Sequence, residues 1–505
     1  MEWLYMMNKL KLITIIFLIF SSTTYITTGC TDKETNSKSG EPFSLDIMTI
    51  NHSGEPMVDD SPIKKLLEEY TNTKIEFIWI NNSVYEDKLN ITLASDELPT
   101  IITVPEKTPS VINAARAGLF WDLTPYLNEY PNLSKADPVT LKNISIDGKV
   151  YGIYRSRPLG RHGITYRKDW FDKLGLEKLT TIDDFYHMLR AFTYEDPDGN
   201  EKNDTYGLAM CKYTVPWDIM SIWFGAPNKW GLNSEGKLVP AHTTEQYRDA
   251  LRFFRKLYVE KLVNQDFAVL DSSMWMEELK GGKAGAVVDV LDHARRLQDD
   301  SNKYNKGSEY DVVGSLVGPY GLRNMPTSGY SGFHVITKSG AKTESEAKRV
   351  LKFLDQLNDR EMQILLNNGI EGRHFRLEDG YAIEYISEQL RNEKGNINQL
   401  HMGIPKDLSY VVMNTPIREK TLQVMKENEN ILIYNPAEGL TSDVWAQKGE
   451  ILDNIIEQAR LKYITGRIDD EGLEEEFKRW EQSGGKELIE EINELYLQSR
   501  QTWDN

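Results

Sequence analysis

The stretch "FSLDIMTINHSGEPMVDDSPIKKLLEEYTNTKIEFIWI", residues 43–80, sets the fold class. Its first eight residues alternate enough for a strand. Ser61 then stands as an N-cap, with Pro62 at the first helical position, where a missing N–H costs nothing. Ile63, Leu66, Leu67 and Tyr70 recur at helical spacing, so residues 61–74 read as an amphipathic helix with those four on one face. "IEFIWI", 75–80, is β-branched and aromatic and reads as a second strand. A strand–helix–strand start places its strands parallel, because only a crossover returns the chain in the same direction. The chain opens as an α/β protein.

The same alternation continues. "YEDKLNITLASDELPTIITV", 85–104, reads as a helix ending near Ser95, a loop and a buried strand. "DGKVYGIYRS", 147–156, and "RHGITYRKDWFDKLGL", 161–176, read as a strand pair running into a helix. In "TTIDDFYHMLRAF", 180–192, Thr181 and Asp184 form a capping pattern ahead of an apolar face of Ile182, Phe185, Leu189 and Phe192. Helices are also expected at 243–263, at 344–358 (with Val350, Leu351, Leu354 and Leu357 inward) and over most of the chain after Glu450. No repeat interrupts this order.

The N-terminal end reads as an export signal. Lys9 and Lys11 precede the apolar run "LITIIFLIF", 12–20, and the small-residue segment "SSTTYITTGC", 21–30. The run is shorter than the roughly 20 residues of a spanning helix. Thr28-Gly29-Cys30 resembles the lipobox of bacterial lipoproteins, with Thr27 where that motif prefers Leu. Residues 1–29 are expected to be a lipoprotein signal peptide, Cys30 the lipidated residue, and 30–43 a flexible tether of polar composition. Acyl chains on Cys30 would anchor the chain to a membrane. Cys211 is the only other cysteine, so an exported chain of this kind carries no internal disulfide and relies on a large core.

The 505 residues hold 59 basic and 77 acidic side chains, a formal charge of −18. Nucleic acid is disfavoured as a partner, since affinity there rests on Lys and Arg neutralising phosphates. The chain contains no G-x-S-x-G, no H-E-x-x-H and no G-x-x-x-x-G-K-[ST]. Its eight histidines are scattered without ligand spacing. A glycosidase would need two converging carboxylates, which linear sequence does not display.

Several stretches together carry a family resemblance: "LNITLASDELPTIITV" (89–104), "GLFWDLTPYLNEYPNL" (118–133), "DGKVYGIYRS", residues 164–208, "EELKGGKAGAV" (277–287) and "NNGIEGRHF" (367–375). In this order they resemble an extracellular solute-binding lipoprotein of an ABC importer, of the carbohydrate-type family 1. The resemblance implies a two-lobed periplasmic-binding-protein-like fold with a ligand cleft between the lobes. Lobe 1 would be 44–157 and 326–385, and lobe 2 would be 158–325 and 386–505, with crossings near 155–160 and 319–330. It implies a monomer, not an enzyme, that captures an extracellular sugar, an oligosaccharide in the first instance. Hinge closure would trap the ligand, and delivery would be to the transmembrane subunits of a permease. A lipid anchor would hold it on the outer face of a Gram-positive type of cell membrane. A peptide ligand, or less so a secreted glycan-active enzyme, is the alternative.

Sugars are held by flat apolar faces and planar hydrogen-bonding groups. The candidates in loops where the family's cleft falls are Trp217, Trp223, Trp275, Tyr330 and Trp445, with Phe333 beside Tyr330. The polar candidates are Asp96, Asp289 and Arg373. A single Trp is more often core or rim than a ligand platform, and Asp96 and Arg373 are equally caps or inter-lobe salt-bridge partners. In "YEDPDGNEKNDTYG", 194–207, Asp196, Asp198, Asn200, Asp204 and the Lys202 carbonyl fall at alternating positions that suit calcium. Gly199 lies two positions early for an EF-hand, and Gly207 replaces the late Glu. An Asx-rich turn shaped by Pro197 and Gly199 explains the residues as well. The resemblance implies a structural calcium ion remote from the ligand.

Overall fold

A computed structural model describes residues 41–52, 56–272, 274–304, 307–385, 387–412 and 415–503. The expected signal peptide, Cys30 and most of the tether lie outside these residues. Phe43–Asn505 is one compact unit. It begins with β1 (Phe43–Asn51), α1 (Pro62–Thr71), β2 (Thr73–Asn81), β3 (Ile101–Val104) and β4 (Gly152–Ser156). Next come β5 (His162–Arg167), α2 (Ile182–Tyr194), β6 (Tyr206–Leu208), β7 (Ala284–Val290), α3 (Asp292–Tyr304) and β8 (Tyr310–Val313). β9 (Tyr330–Ile336), α4 (Glu344–Gln356), α5 (Pro416–Asn428) and α6 (Asp443–Ile464) follow. Among the described residues no helix is long and apolar enough to cross a membrane.

Two sheets organise the molecule, one in the order β2-β1-β3-β9-β4 and one in the order β8-β5-β7-β6. β1 and β2 are parallel, from Phe43 opposite Thr73 to Asn51 opposite Asn81, as the opening stretch requires. The Ser61 hydroxyl accepts from the Ile63 N–H at 3.2 Å, and Asn72, at φ 50°, closes α1 so that β2 starts at Thr73. The buried stripe of α1 is Ile63, Leu67 and Thr71, an i, i+4, i+8 row against the sheet. Leu66 and Tyr70 flank that row and are 41% and 40% exposed, so the inward face is narrower than the sequence pattern implied. Tyr70 donates its hydroxyl to Asp359 Oδ2 at 2.9 Å. The capping box at Thr181 and Asp184 is present, and Phe185, Leu189 and Phe192 are buried with Met188.

The expected strand pair at 147–176 is not a pair. β4 is bonded to β9 in the first sheet, whereas β5 lies between β7 and β8 in the second. Pro158, which has no N–H to give a ladder, falls between them, and residues 157–161 cross from one sheet to the other.

Each sheet has its own core. Ile47, Ile101, Phe120, Phe333, Leu351 and Leu354 belong to the first. Ile164, Phe185, Phe192, Trp223, Phe254 and Val288 belong to the second. Burying one such side chain stabilises the fold by about 1.5–3 kcal/mol. The first core also takes in Ile397, Leu400, Met402 and Ile404. The 22 residues of α6, ~33 Å at 1.5 Å each, run from Ala446 in the first core to Ala459, Tyr463 and Ile464 in the second.

Candidate functional site

Three backbone segments lace the two sheets together. Arg157 N–H donates to Gly329 O and Thr327 N–H to Leu159 O, both at 3.0 Å. Asn324 N–H donates to Ile431 O, and Ile433 N–H returns a bond to Asn324 O, both at 2.9 Å. Residues 156–161, 324–329 and 431–433 thus form a narrow hydrogen-bonded hinge. Asn428 closes it, donating from Nδ2 to Gly160 O at 2.8 Å and His162 O at 2.9 Å. Gly160 allows that approach, because a Cβ there would stand 2.1 Å from Met425 O.

Strand order locates the cleft. β1 is flanked by β2 on one side and β3 on the other, and all three run parallel. Ligands of open α/β sheets bind beyond the carboxyl ends of strands at such a switch point. The residues there are His52 after β1, and Glu106 and Lys107 after β3. In the second sheet β6 and β7 are parallel, and their carboxyl ends lead to Tyr213, Asp292 and His293. The two sets act on each other electrostatically. Glu106, from the first sheet, acts on Tyr213 and Lys229 of the second, while Arg296 of α3 acts on His52.

The cleft is polarised. Burial, Asp289 and Glu106 push the Tyr213 phenol up, and burial with Glu438 and Glu106 does the same to Tyr330. Burial drives Lys107 down to about 8 against the pull of Glu438, and its Nζ donates to the carbonyls of Ser145 at 3.3 Å and Glu438 at 3.2 Å. Burial also opposes ionisation of Glu438, but Lys229, the Ser328 hydroxyl at 2.6 Å and the Asn435 amide at 2.9 Å hold its carboxyl below the usual range.

Sequence candidates separate into two groups. Asp289 and Tyr330 lie at this cleft, whereas Trp275 is core, 3% exposed with its indole N–H on Ala209 O at 3.0 Å. The Trp275 ring lies 6.4 Å from Tyr213 and 6.1 Å from His293, and the Asp289 carboxylate is 2.9 Å from His293 Nε2. Tyr330 packs edge-on to the buried Phe333 at 6.2 Å. Trp223 is fully buried against Phe185, and Trp217 packs on Phe254 and Phe267. They present no free face, because the core of the second sheet has used both sides of each ring. Trp445, early in α6, is half-buried and packs against the core of the first sheet. Asp96 is exposed in the loop before β3. Arg373 forms a bidentate pair with Glu393, both bonds 2.7 Å, and so clamps the start of 373–393 instead of standing free. His52, Glu106, Tyr213, Lys229 and His293 were not among the candidates. Only "RSRPLGR", 155–161, with three arginines in an acidic chain, was a signal for them in sequence, and it was not read as part of the site.

This geometry has known counterparts. Residues 54–363 match the family model of bacterial extracellular solute-binding proteins. The chain belongs to that family. Lipoprotein LipO of Bacillus subtilis (strain 168) is 46% identical over 94% of this chain and 96% of its own. The polygalacturonan/rhamnogalacturonan-binding protein YtcQ of the same organism is 34% identical over 98% of this chain and 100% of its own. Among solved structures, the alginate-binding protein AlgQ2 without calcium ion superposes with a TM-score of 0.72 at 16% identity, covering 90% of this chain and 98% of that one. The two-lobed fold with a cleft between the lobes is that of the family.

In this solute-binding protein the acidic loop follows α2. Asp196 Oδ1 accepts the N–H groups of Gly199 at 3.1 Å and Asn200 at 3.0 Å, and Oδ2 accepts that of Glu201 at 3.1 Å. Asp198 and Asp204 converge on the Asn200 amide, at 2.8 and 3.1 Å from Nδ2. Among the described residues no three His, Cys, Asp or Glu side chains are gathered closely enough to hold a metal. The reason here is that Asp196 serves the backbone while the Asn200 amide fills the space between the other two. Glu201, at φ 60°, makes the sharp turn that an EF-hand gives to Gly at its sixth position. Burial and the neighbouring aspartates raise the Asp198 carboxyl above its ordinary value.

Proposed function

We propose that this chain is the capturing subunit of an ABC importer, binding an extracellular oligosaccharide by hinge closure and handing it to the transmembrane subunits of a permease. The observation that carries this reading is the shared cleft. Groups from the carboxyl ends of both sheets act on one another there, beside the aromatic faces of Tyr213 and Tyr330, over a three-segment hinge. A ligand that touches both lobes binds the closed state better than the open one, and that difference drives closure. The name of the relative YtcQ supports a saccharide over a peptide. The lobes would be 44–157 with 326–385, and 158–325 with 386–505, with 397–404 packed on the first lobe. Asp289 and Tyr330 would contact the ligand. The protein would act as a monomer without enzymatic turnover, held by lipid on Cys30 at the outer face of the cell membrane, as the name of the relative LipO supports.

A structural calcium ion is part of this proposal. The donor set fits a hard cation: Asp196, Asp198 and Asp204 carboxylates, the Asn200 side-chain oxygen and the Lys202 carbonyl. Two carboxylates already converge on one point, at a cost that a cation would relieve. Millimolar calcium should raise the melting temperature, reversibly with chelator, and Asp198→Asn should abolish the rise. A melting curve indifferent to calcium would remove the ion from the account.

Thermal denaturation of residues 31–505 against saccharides and short peptides tests the main reading. A ligand at 100 times its Kd stabilises by about 2.7 kcal/mol. A shift with a saccharide is expected. A shift with peptides alone would replace the ligand class while leaving the fold.

A further inference from the structure

Among the described residues several buried arginine nitrogens lack a hydrogen-bond partner, although the chain carries a formal charge of −18. Arg155, on β4, is 3% exposed; its Nη1 donates to Ser331 O at 3.0 Å, and its Nε has no hydrogen-bond partner. Among the described residues the Arg157 guanidinium donates to the neutral carbonyl of Ser156 alone, at 2.8 Å. Arg418 of α5 also has a buried Nε without a partner. Among the described residues none of Arg155, Arg157, Arg296 and Arg418 lies within salt-bridge distance of a carboxylate. The acids nearby are engaged elsewhere. Asp292 pairs with Arg161 at 2.7 Å, and Asp407 pairs with His401 at 3.3 Å.

Burial and mutual repulsion depress Arg155 to about 9 and Arg157 to about 10, and Arg296 falls below its ordinary value in the same way. Arg155 and Arg157 carry this cost where the first crossing segment enters the cleft and α3 faces it. Charge effects connect Arg155, Arg157 and Arg296 through His52, so groups attached to both sheets converge there. A buried guanidinium without an anion is costly, whereas a planar carboxylate satisfies its fork with two bonds. The other end of the cleft differs, offering Tyr213, Asp289 and Tyr330 to rings and hydroxyls.

Resting on the sugar-capture reading, we propose that the cleft selects anionic saccharides, with the carboxylate of a uronate residue bound at the Arg155–Arg157–Arg296 cluster. Closure then adds Arg296 to the ligand from the second sheet, so the charged sugar itself stabilises the closed form. Hydrogen bonds to a charged group are worth about 1.5–3 kcal/mol, which is roughly a ten-fold to hundred-fold discrimination.

The test is calorimetric titration of residues 31–505 with tetragalacturonate, its full methyl ester, a sulfated neutral tetrasaccharide and a panel of neutral oligosaccharides. Tetragalacturonate should bind at least about ten-fold tighter than its ester. Arg157→Gln and Arg296→Gln should each remove most of that preference without lowering the melting temperature of the free protein. Should one variant not fold, the other and the acid–ester comparison still decide. Equal affinity for acid and ester, a preference for the sulfated sugar, or an unchanged preference in a folded Arg296→Gln would overturn the proposal. Tight binding of neutral sugars alone would overturn it and leave sugar capture standing. Silence toward every saccharide would overturn both.

Discussion

Replacing Gly160 by Ala should disable the hinge. The added Cβ would lie 2.1 Å from Met425 O and 2.8 Å from Asn428 Cβ. The first is backbone of α5, so relief requires the helix to shift away from the crossing segment. Overpacking of this kind costs about 1–3 kcal/mol. The shift also breaks the Asn428 bonds to Gly160 O and His162 O, at 2.8 and 2.9 Å. Each is worth about 0.5–1.5 kcal/mol, so the total loss is about 2–6 kcal/mol. Urea unfolding of residues 31–505 measures it as a lower midpoint at unchanged slope. Saccharide affinity should fall with it, since the lobes no longer meet in register. A loss below about 0.5 kcal/mol, the level of an indifferent surface change, together with unaltered affinity would refute the hinge assignment.

Stability should depend on two buried histidines. Burial, with help from Arg248, lowers His242 to about 3, and burial with Arg155 lowers His334 to about 3. Both are neutral in the fold, so between pH 6.5 and 3 the unfolded chain takes up protons that the native one refuses. Stability is complete above that window and falls as pH drops through it, by about 1.4 kcal/mol per pH unit for each histidine. His242→Gln should flatten the measured slope of unfolding free energy against pH by that amount; an unchanged slope would exclude it as a titrating group. Trp223→Ala should cost about 3–5 kcal/mol because the ring is wholly buried against Phe185. Its loss should act through stability, and a folded variant that bound saccharide as usual would agree. A near-normal melt with lost affinity would return Trp223 to the binding surface.

The fold was legible where local chemistry and tertiary packing agree. Ser61-Pro62 and the Thr181 capping box act within one turn, so sequence located α1 and α2 well. The parallel start at 43–80 needed only period and order. What failed needed contacts distant in the chain. Whether β4 and β5 pair with each other or with β9 and β7 is settled by residues more than a hundred positions away. For the same reason the loop positions of Trp223 and Trp275 suggested a binding role, yet both rings are core, at 0% and 3% exposure. Of the cleft, the loop positions of Asp289 and Tyr330 and a crossing near 155–160 were legible, while the arginines of "RSRPLGR" were not read as part of it. Its acidic and aromatic members come from both sheets and share no local pattern.

The central claim is that ligand is captured by closure of two lobes about this hinge. Small-angle scattering of residues 31–505, free and saturated with the saccharide that gives the largest thermal shift, tests it most directly. The account expects a smaller radius of gyration on binding, and loss of that change in Gly160→Ala. An identical radius in the free and fully bound wild-type protein would contradict it.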